Sequence, residues 1–479
     1  MDYGDAALHG GNVIGGRTSS TEDGGPDTWG ESRTHRDGEP TPSPTAHLAG
    51  RRAVSRYVVF GPIRSPSPSQ RAIGRNLALD LVAAVGVGVT GALITALLPT
   101  VARRSGLEPL GLSALAAAPY VANLLGAFAG RVGPRSPSRL AVVRGLGAAA
   151  LLALFVAPIP IVMIGVTVAF WLSLSIGGPY HLRLWGAMYP ARLRGRVVGF
   201  LGMGRAAAGA VAAIGGGVLA DRIGGPTAVA IAGLVGLACA IGYAGLRSGS
   251  AELVTGFSAR ESIRALRDRP VLARIALGQG FYGGGLIAAG PLFALVNVDR
   301  LDLSLADVGV IGVLTAIATT FAFVVWGAIS DRRGPLFVMR LGSAIGTASL
   351  VAYALAPGVA VLWVAAVAAG TASASIDVGI AAAVSDHTTL SARSAAMAGW
   401  NAITGARGIA AAFVMSALLQ AGLIDVTGGL LLCAVISMVG VGIFVRAKAG
   451  VPVESRAWEL VPAARPRATS AVVSTAGPG

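Results

Sequence analysis

Charged side chains set inside long apolar stretches are the residues of this chain that could do chemistry. Asp377 stands in SASIDVGI and Arg407 in ITGARGIA, each near the middle of an apolar run. A charge at the centre of a bilayer costs about 2.5–3.5 kcal/mol on insertion scales, so such a residue faces a cavity or a partner. On adjacent antiparallel spans at similar depth the two could pair. A carboxylate that its arginine leaves takes up a proton, which makes Asp377 and Arg407 a candidate proton-coupling pair. A static ion pair between helices is the structural alternative. Asp80 and Arg144 stand nearer the ends of their runs, within reach of the interface. A pair between them is open, with a structural role the simpler reading. Tyr180, His181 and Arg183 cluster late in another run. The imidazole of His181 makes it a candidate proton relay, and a satisfied polar group at a helix end is the plainer alternative. Asn123, His181, Arg183, Gln279, Tyr282, Trp400 and Asn401 are the candidates for the wall of a substrate cavity. Hydrogen bonding between helices is the other use of such groups.

These residues need spans to hold them. Of 479 residues 54% are hydrophobic and only 13% charged, and the mean hydropathy is +0.69. Between residues 77 and 445 twelve apolar runs alternate with short breaks, several of which hold Pro beside Gly: Gly133-Pro134, Gly225-Pro226, Gly334-Pro335 and Pro357-Gly358. Spans of roughly 20 residues fit these runs, so the predicted fold class is all-α integral membrane. The net charge of +15 comes mostly from Arg. It concentrates before the first run and in alternate loops (Arg131, Arg135 and Arg139; Arg192, Arg194 and Arg196; Arg247 to Arg274; Arg332, Arg333 and Arg340). The intervening loops hold only Arg103, Arg104, Arg222 and Arg300. That asymmetry predicts a multi-pass protein of the plasma (inner) membrane with both termini in the cytoplasm. It reads as a topology signal with some contact to anionic lipid, and not as a nucleic-acid surface. The organisation expected is a disordered basic tail over 1–75, a six-helix bundle over 76–246, a cytoplasmic linker over 247–270, a second six-helix bundle over 271–446 and a disordered tail over 447–479. No phosphate-binding G-x-x-x-x-G-K-[ST] string occurs, and no His/Cys/Asp cluster has metal spacing. Neither a cofactor, a metal nor an enzymatic activity is expected. Cys239 and Cys433 lie inside apolar runs and read as packing residues.

The halves repeat. Gly327 to Arg340 reads GAISDRRGPLFVMR, and Gly126 to Arg139 reads GAFAGRVGPRSPSR. They share Gly126/Gly327, Ala127/Ala328, Arg131/Arg332, Gly133/Gly334, Pro134/Pro335 and Arg139/Arg340. Together with the twelve spans, the long central loop and the inner termini, this resembles the major facilitator superfamily. In that family a pattern close to G-x-x-x-D-R-x-G-R-R joins helices 2 and 3 and recurs between helices 8 and 9. Gly327, Asp331, Arg332 and Gly334 match the second copy. Gly126, Arg131 and Gly133 match the first, where Gly130 stands in the place of the acid. A third string, GVLADRIG over Gly217 to Gly224, is similar to the motif at the end of helix 5. The resemblance implies two six-helix bundles that rock about a central site, with the inner-loop motif as a gate. It implies a secondary transporter of a small organic molecule, expected to be a monomer. With no nucleotide site an ion gradient must drive accumulation, and Asp377 within its span makes the proton the candidate coupling ion. The run Ala208 to Gly217 keeps the glycines of the family's drug antiporters but has Ala212-Ala213 in place of their Gly-Pro. Export is the expected direction, uptake or facilitated diffusion the alternative, and a non-transporting sensor or scaffold of the same fold the remaining one.

Overall fold

The computed structural model describes residues 68–126, 133–247 and 259–447. The sequence readings of residues 1–67, of Gly130 and Arg131, of linker residues 248–258 and of residues 448–479 lie outside them. Among the described residues the regular structure is helical throughout, and twelve helices are long and apolar enough to cross a membrane. The first half holds α1 (Arg71–Arg104), α2 (Pro109–Gly126), α3 (Pro137–Val156), α4 (Pro160–Met188), α5 (Ala191–Ile223) and α6 (Gly225–Ala244). A linker helix, Ala259–Arg267, follows. The second half holds α7 (Pro270–Arg300), α8 (Leu305–Arg333), α9 (Pro335–Ala354), α10 (Val359–His387), α11 (Leu390–Gln420) and α12 (Val426–Arg446). Twelve alternating crossings put the start of α1, the linker helix and the end of α12 on one side, the linker end; the other side is the far end.

Local sequence sets the boundaries. Pro opens α2, α3, α4, α7 and α9, where its missing N–H would have no partner in the helix anyway. Ser304 caps α8 by accepting from the Asp307 amide at 3.0 Å. Asp425 caps α12 by accepting from the Gly428 amide at 2.9 Å. Gly334 turns α8 into α9 with φ +81° and Gly224 turns α5 into α6 with φ +93°. A side chain at either would be strained.

Packing repeats with an offset of six helices. In the first half α1 packs on α5 and α6, α3 on α4 and α6, and α2 on α4. In the second α7 packs on α11 and α12, α9 on α10 and α12, and α8 on α10. The halves meet where α2 packs on α11 and where α5 packs on α8. The fold is two six-helix bundles related by an internal repeat. Each of α1 and α7 carries one π turn near its far end, Leu93–Leu97 and Val296–Arg300. Arg300, at the far end, is a structural anchor. It donates to the carbonyls of Ala354 (2.8 Å) and Tyr353 (2.7 Å), the last of α9, where a cation also meets the negative end of the helix dipole.

Candidate functional site

The site lies where the halves meet. Among the described residues, the far end carries hydrogen bonds and ion pairs that join the halves. Arg103 meets both carboxylate oxygens of Asp299 through Nε at 3.0 Å and Oδ2 through Nη2 at 2.8 Å. Arg104 donates to the Leu303 carbonyl. The Asp221 carboxylate, at the end of α5, accepts from the amides of Leu305 and Ala306, both at 2.9 Å. It therefore caps α8 from the opposite half, where unpaired amides and the helix dipole favour an anion. Gln420 donates to Glu108 at 3.2 Å. At Gly309 an added Cβ would come within 2.3 Å of the Ala213 carbonyl, so only glycine lets α5 and α8 approach this closely.

Beneath this latch is a cavity of about 230 Å³ between α1, α2, α4 and α7. Trp171 and Phe293 give it aromatic walls, and Thr95, Thr100, Thr167 and Asn297 supply its polar atoms. Thr95 and Asn297 belong to the two π turns, a geometry that recurs at functional sites. The Asn297 amide oxygen already accepts from the Tyr353 hydroxyl at 2.8 Å.

At mid-depth, on the linker side of the cavity, is Arg407. Its Nη1 donates to the backbone carbonyl of Gln279. Its Nε and the Gln279 Oε1 are buried without a partner. A Cβ at Gly283 would lie 2.8 Å from Gln279 Nε2 and 3.1 Å from Arg407 Nη2, so this glycine makes room for both. The ring of Tyr120 packs on Gly408 from α2, which brings the other half beside Arg407.

The expected pair of Asp377 with Arg407 does not form. No ion pair of either residue occurs among the described residues. The reason is the helix order: α10 packs on α8 and α9, whereas α11 packs on α2, α7 and the linker helix. Consecutive in sequence, the two helices are not packed side by side. Asp377 is exposed, and so is Ser373 one turn before it.

Asp80 and Arg144 do not pair either. Asp80 is buried, not at an interface. Its carboxylate meets His181 Nε2 at 2.8 Å and accepts from Trp185 Nε1 at 2.6 Å. The His181 ring also lies against Trp185 and Tyr243, at centroid distances of 4.6 and 5.1 Å. Arg144 stands over the Tyr243 ring at 5.9 Å instead. Beyond the end of α4, burial first and then the Asp80 carboxylate hold the Tyr189 phenol above its ordinary range.

The other cavity candidates are dispersed. Tyr282 is buried inside the second half against Phe444, centroids 6.5 Å apart. Trp400 packs in the same cluster as Leu266 of the linker helix. Gln279 is buried beside Arg407, Asn123 is half-buried and Asn401 exposed. Arg183 lies over the Tyr180 ring at 5.9 Å. None of the seven lines the 230 Å³ cavity. The wall of this cavity gave no sequence signal, because Thr95, Thr167 and Trp171 sit in runs apolar enough to read as ordinary span. Of the gating strings, Gly126, Gly133, Gly327 and Gly334 are placed, and Asp331 and Arg332 are exposed at the linker end. Arg333 stacks over Phe337 at 4.8 Å.

The sequence matches the description "Major Facilitator Superfamily" over residues 79–359 and 275–475. No curated protein matches it. Among solved structures, the fold is similar to a mutant of the nucleoside transporter NupG, with TM-score 0.65 and 13% identity over 78% of this chain and 100% of that one. It is also similar to a bacterial homolog of the human lysosomal transporter Spinster in an inward-facing and occupied conformation. There the TM-score is 0.60 and the identity 15%, over 80% of this chain and 97% of that one. With its repeated six-helix bundles and a family match that covers most of the sequence, the chain belongs to the major facilitator superfamily, whose members are membrane transporters of small solutes.

Proposed function

We propose that this chain is a proton-coupled secondary transporter that exports a small organic solute by alternating access. The carrying observation is the junction of the halves: a 230 Å³ cavity beneath the hydrogen bonds and ion pairs of the far end. The arginine-rich loops favour a cytoplasmic linker end in the plasma membrane. The conformation is then closed to the outside. Rocking the halves would break the far-end bonds and pack the linker end, which makes each end a bistable contact. Asp331 and Arg332 are exposed at the linker end and are the groups we assign to the second gate. Gly126, Arg131 and Gly133 are their counterparts in the first half. Residues 76–246 and 271–446 are the rocking bodies of a monomer, with 247–270 as linker.

Asp377 is assigned the coupling proton. A carboxylate at mid-span is costly against lipid, so an exposed one belongs on a wetted face, where it can be protonated and released. The test is proton flux in proteoliposomes carrying a pH-sensitive dye, against a panel of lipophilic cations, sugars and amphiphiles. Wild type is expected to move protons with one compound, and Asp377→Asn to lose that flux. Equal solute movement in both, without proton flux, would make the protein a facilitator.

A further inference from the structure

We propose that the transported solute is an organic anion, most simply a monocarboxylate with a small apolar body, and that the Arg407 guanidinium binds its charge. The proposal rests on the transporter reading above and deepens it.

Arg407 lies midway along the apolar part of α11, Ala395–Gln420. A guanidinium carries five N–H donors and stays charged. The protein uses it sparingly: Nη1 bonds one backbone carbonyl, and Nε is buried with no partner. The ion pairs among the described residues are Arg103–Asp299, Arg104–Asp221, His181–Asp80 and Arg267–Asp268, and none reaches this depth of the second half. Asp377 is the acid of closest depth there, and its helix packs elsewhere. A charge in mid-bilayer without a counter-charge costs about 2.5–3.5 kcal/mol. A carboxylate offsets that cost by accepting two parallel bonds from the guanidinium fork. A neutral solute would leave the cost standing, and a cation would add to it.

The position also suits coupling. Gln279 and Arg407 belong to one half and the neighbouring Tyr120 to the other. An anion held there touches both bodies, so its affinity differs between the two states, which is the condition for a ligand to move the equilibrium. Toward the far end, the cavity walls at Ala116 and Gly290 stand one turn beyond Tyr120 on α2 and two turns beyond Gly283 on α7. That is roughly 5–10 Å along the helices. Its aromatic lining suits an apolar body attached to the charged group.

The test is thermal unfolding of the full chain in nanodiscs, with phenylacetate, phenylacetamide, phenethylamine and a series of straight-chain monocarboxylates. The acids are expected to raise the melting temperature, and the amide and amine to leave it unchanged. Arg407→Gln should weaken acid binding by about 10–100-fold, the value of one or two hydrogen bonds to a charged group. Arg407→Lys should keep part of the response, because an ammonium keeps the charge without the fork. Should Arg407→Gln fail to elute as a monodisperse peak, the lysine variant and the acid-versus-amide contrast carry the decision. The proposal is overturned if the amine stabilises as well as the acid, if no acid stabilises wild type, or if a well-folded Arg407→Gln responds like wild type. Acid binding without proton flux would refute only the coupling assigned to Asp377. Proton flux driven by a cation would refute only the anion.

Discussion

Asp80 is 1% exposed, and two donors from one face of α4 hold its carboxylate. His181 and Trp185 are four residues apart, so a helical turn stacks them and both can reach the same acid. Asn in place of Asp80 keeps one accepting oxygen for Trp185 and turns the other into a donor, which is left unsatisfied unless His181 gives up its Nε2 proton. An unsatisfied buried group of this kind costs about 1–3 kcal/mol. Asp80→Asn is expected to melt below wild type, and Asp80→Ala lower still, since it strands both rings. A melting temperature for Asp80→Ala equal to that of wild type would remove the network from the account of stability. The sequence named His181 but gave Asp80 a place at the interface. Position along a run is a poor measure of burial, because nothing local in a chain says that residues 80 and 181 will face each other across two helices. Asp377 and Arg407 fail in the reverse sense. Neighbours in sequence need not be neighbours in space: α10 and α11 pack on different partners.

The same short string serves opposite ends of one helix pair. GVLADRIG ends α5 and GAISDRRG ends α8, and these two helices pack on each other across the halves. In the present state Asp221 caps α8, at 2.9 Å from each of two amides. Removing such a cap costs about 0.5–2 kcal/mol, which is roughly a 2–30-fold shift in a two-state ratio. Asp221→Ala should therefore populate the far-end-open state more, and a single-molecule distance measured across the far end should lengthen in proportion. An unchanged distribution would mean that packing at Gly309 and its neighbours holds the latch alone. Much at this scale was legible. The twelve spans follow from apolar run length, and the α8–α9 turn from Gly334-Pro335. The π turns were not, since a one-residue insertion in the hydrogen-bond ladder leaves no mark on hydropathy. With them went the cavity wall, in which Thr95 and Asn297 stand.

Packing that repeats at an offset of six helices gives the molecule two quasi-equivalent bodies joined along α2–α11 and α5–α8. Such a pair can rock only if the contacts at each end are weak enough to exchange. The Arg103–Asp299 pair fits that requirement. Its side chains are 26% and 40% exposed, and an exposed ion pair contributes about 0.2–1 kcal/mol, a shift of at most roughly fivefold. It tunes the far-end latch and does not lock it. Reversing one charge replaces this small attraction with repulsion, and reversing both restores attraction with the signs exchanged. A reporter cysteine at Thr95, in the cavity beneath the latch, makes this measurable, in a background where Cys239 and Cys433 are replaced by Ala. A membrane-impermeant maleimide added on the far side should label Arg103→Asp and Asp299→Arg faster than the parent. The double variant should fall back toward the parent rate, and high salt should narrow all the differences. If the double labels as fast as the singles, the two residues act independently and the ion pair has no part in closing the far end.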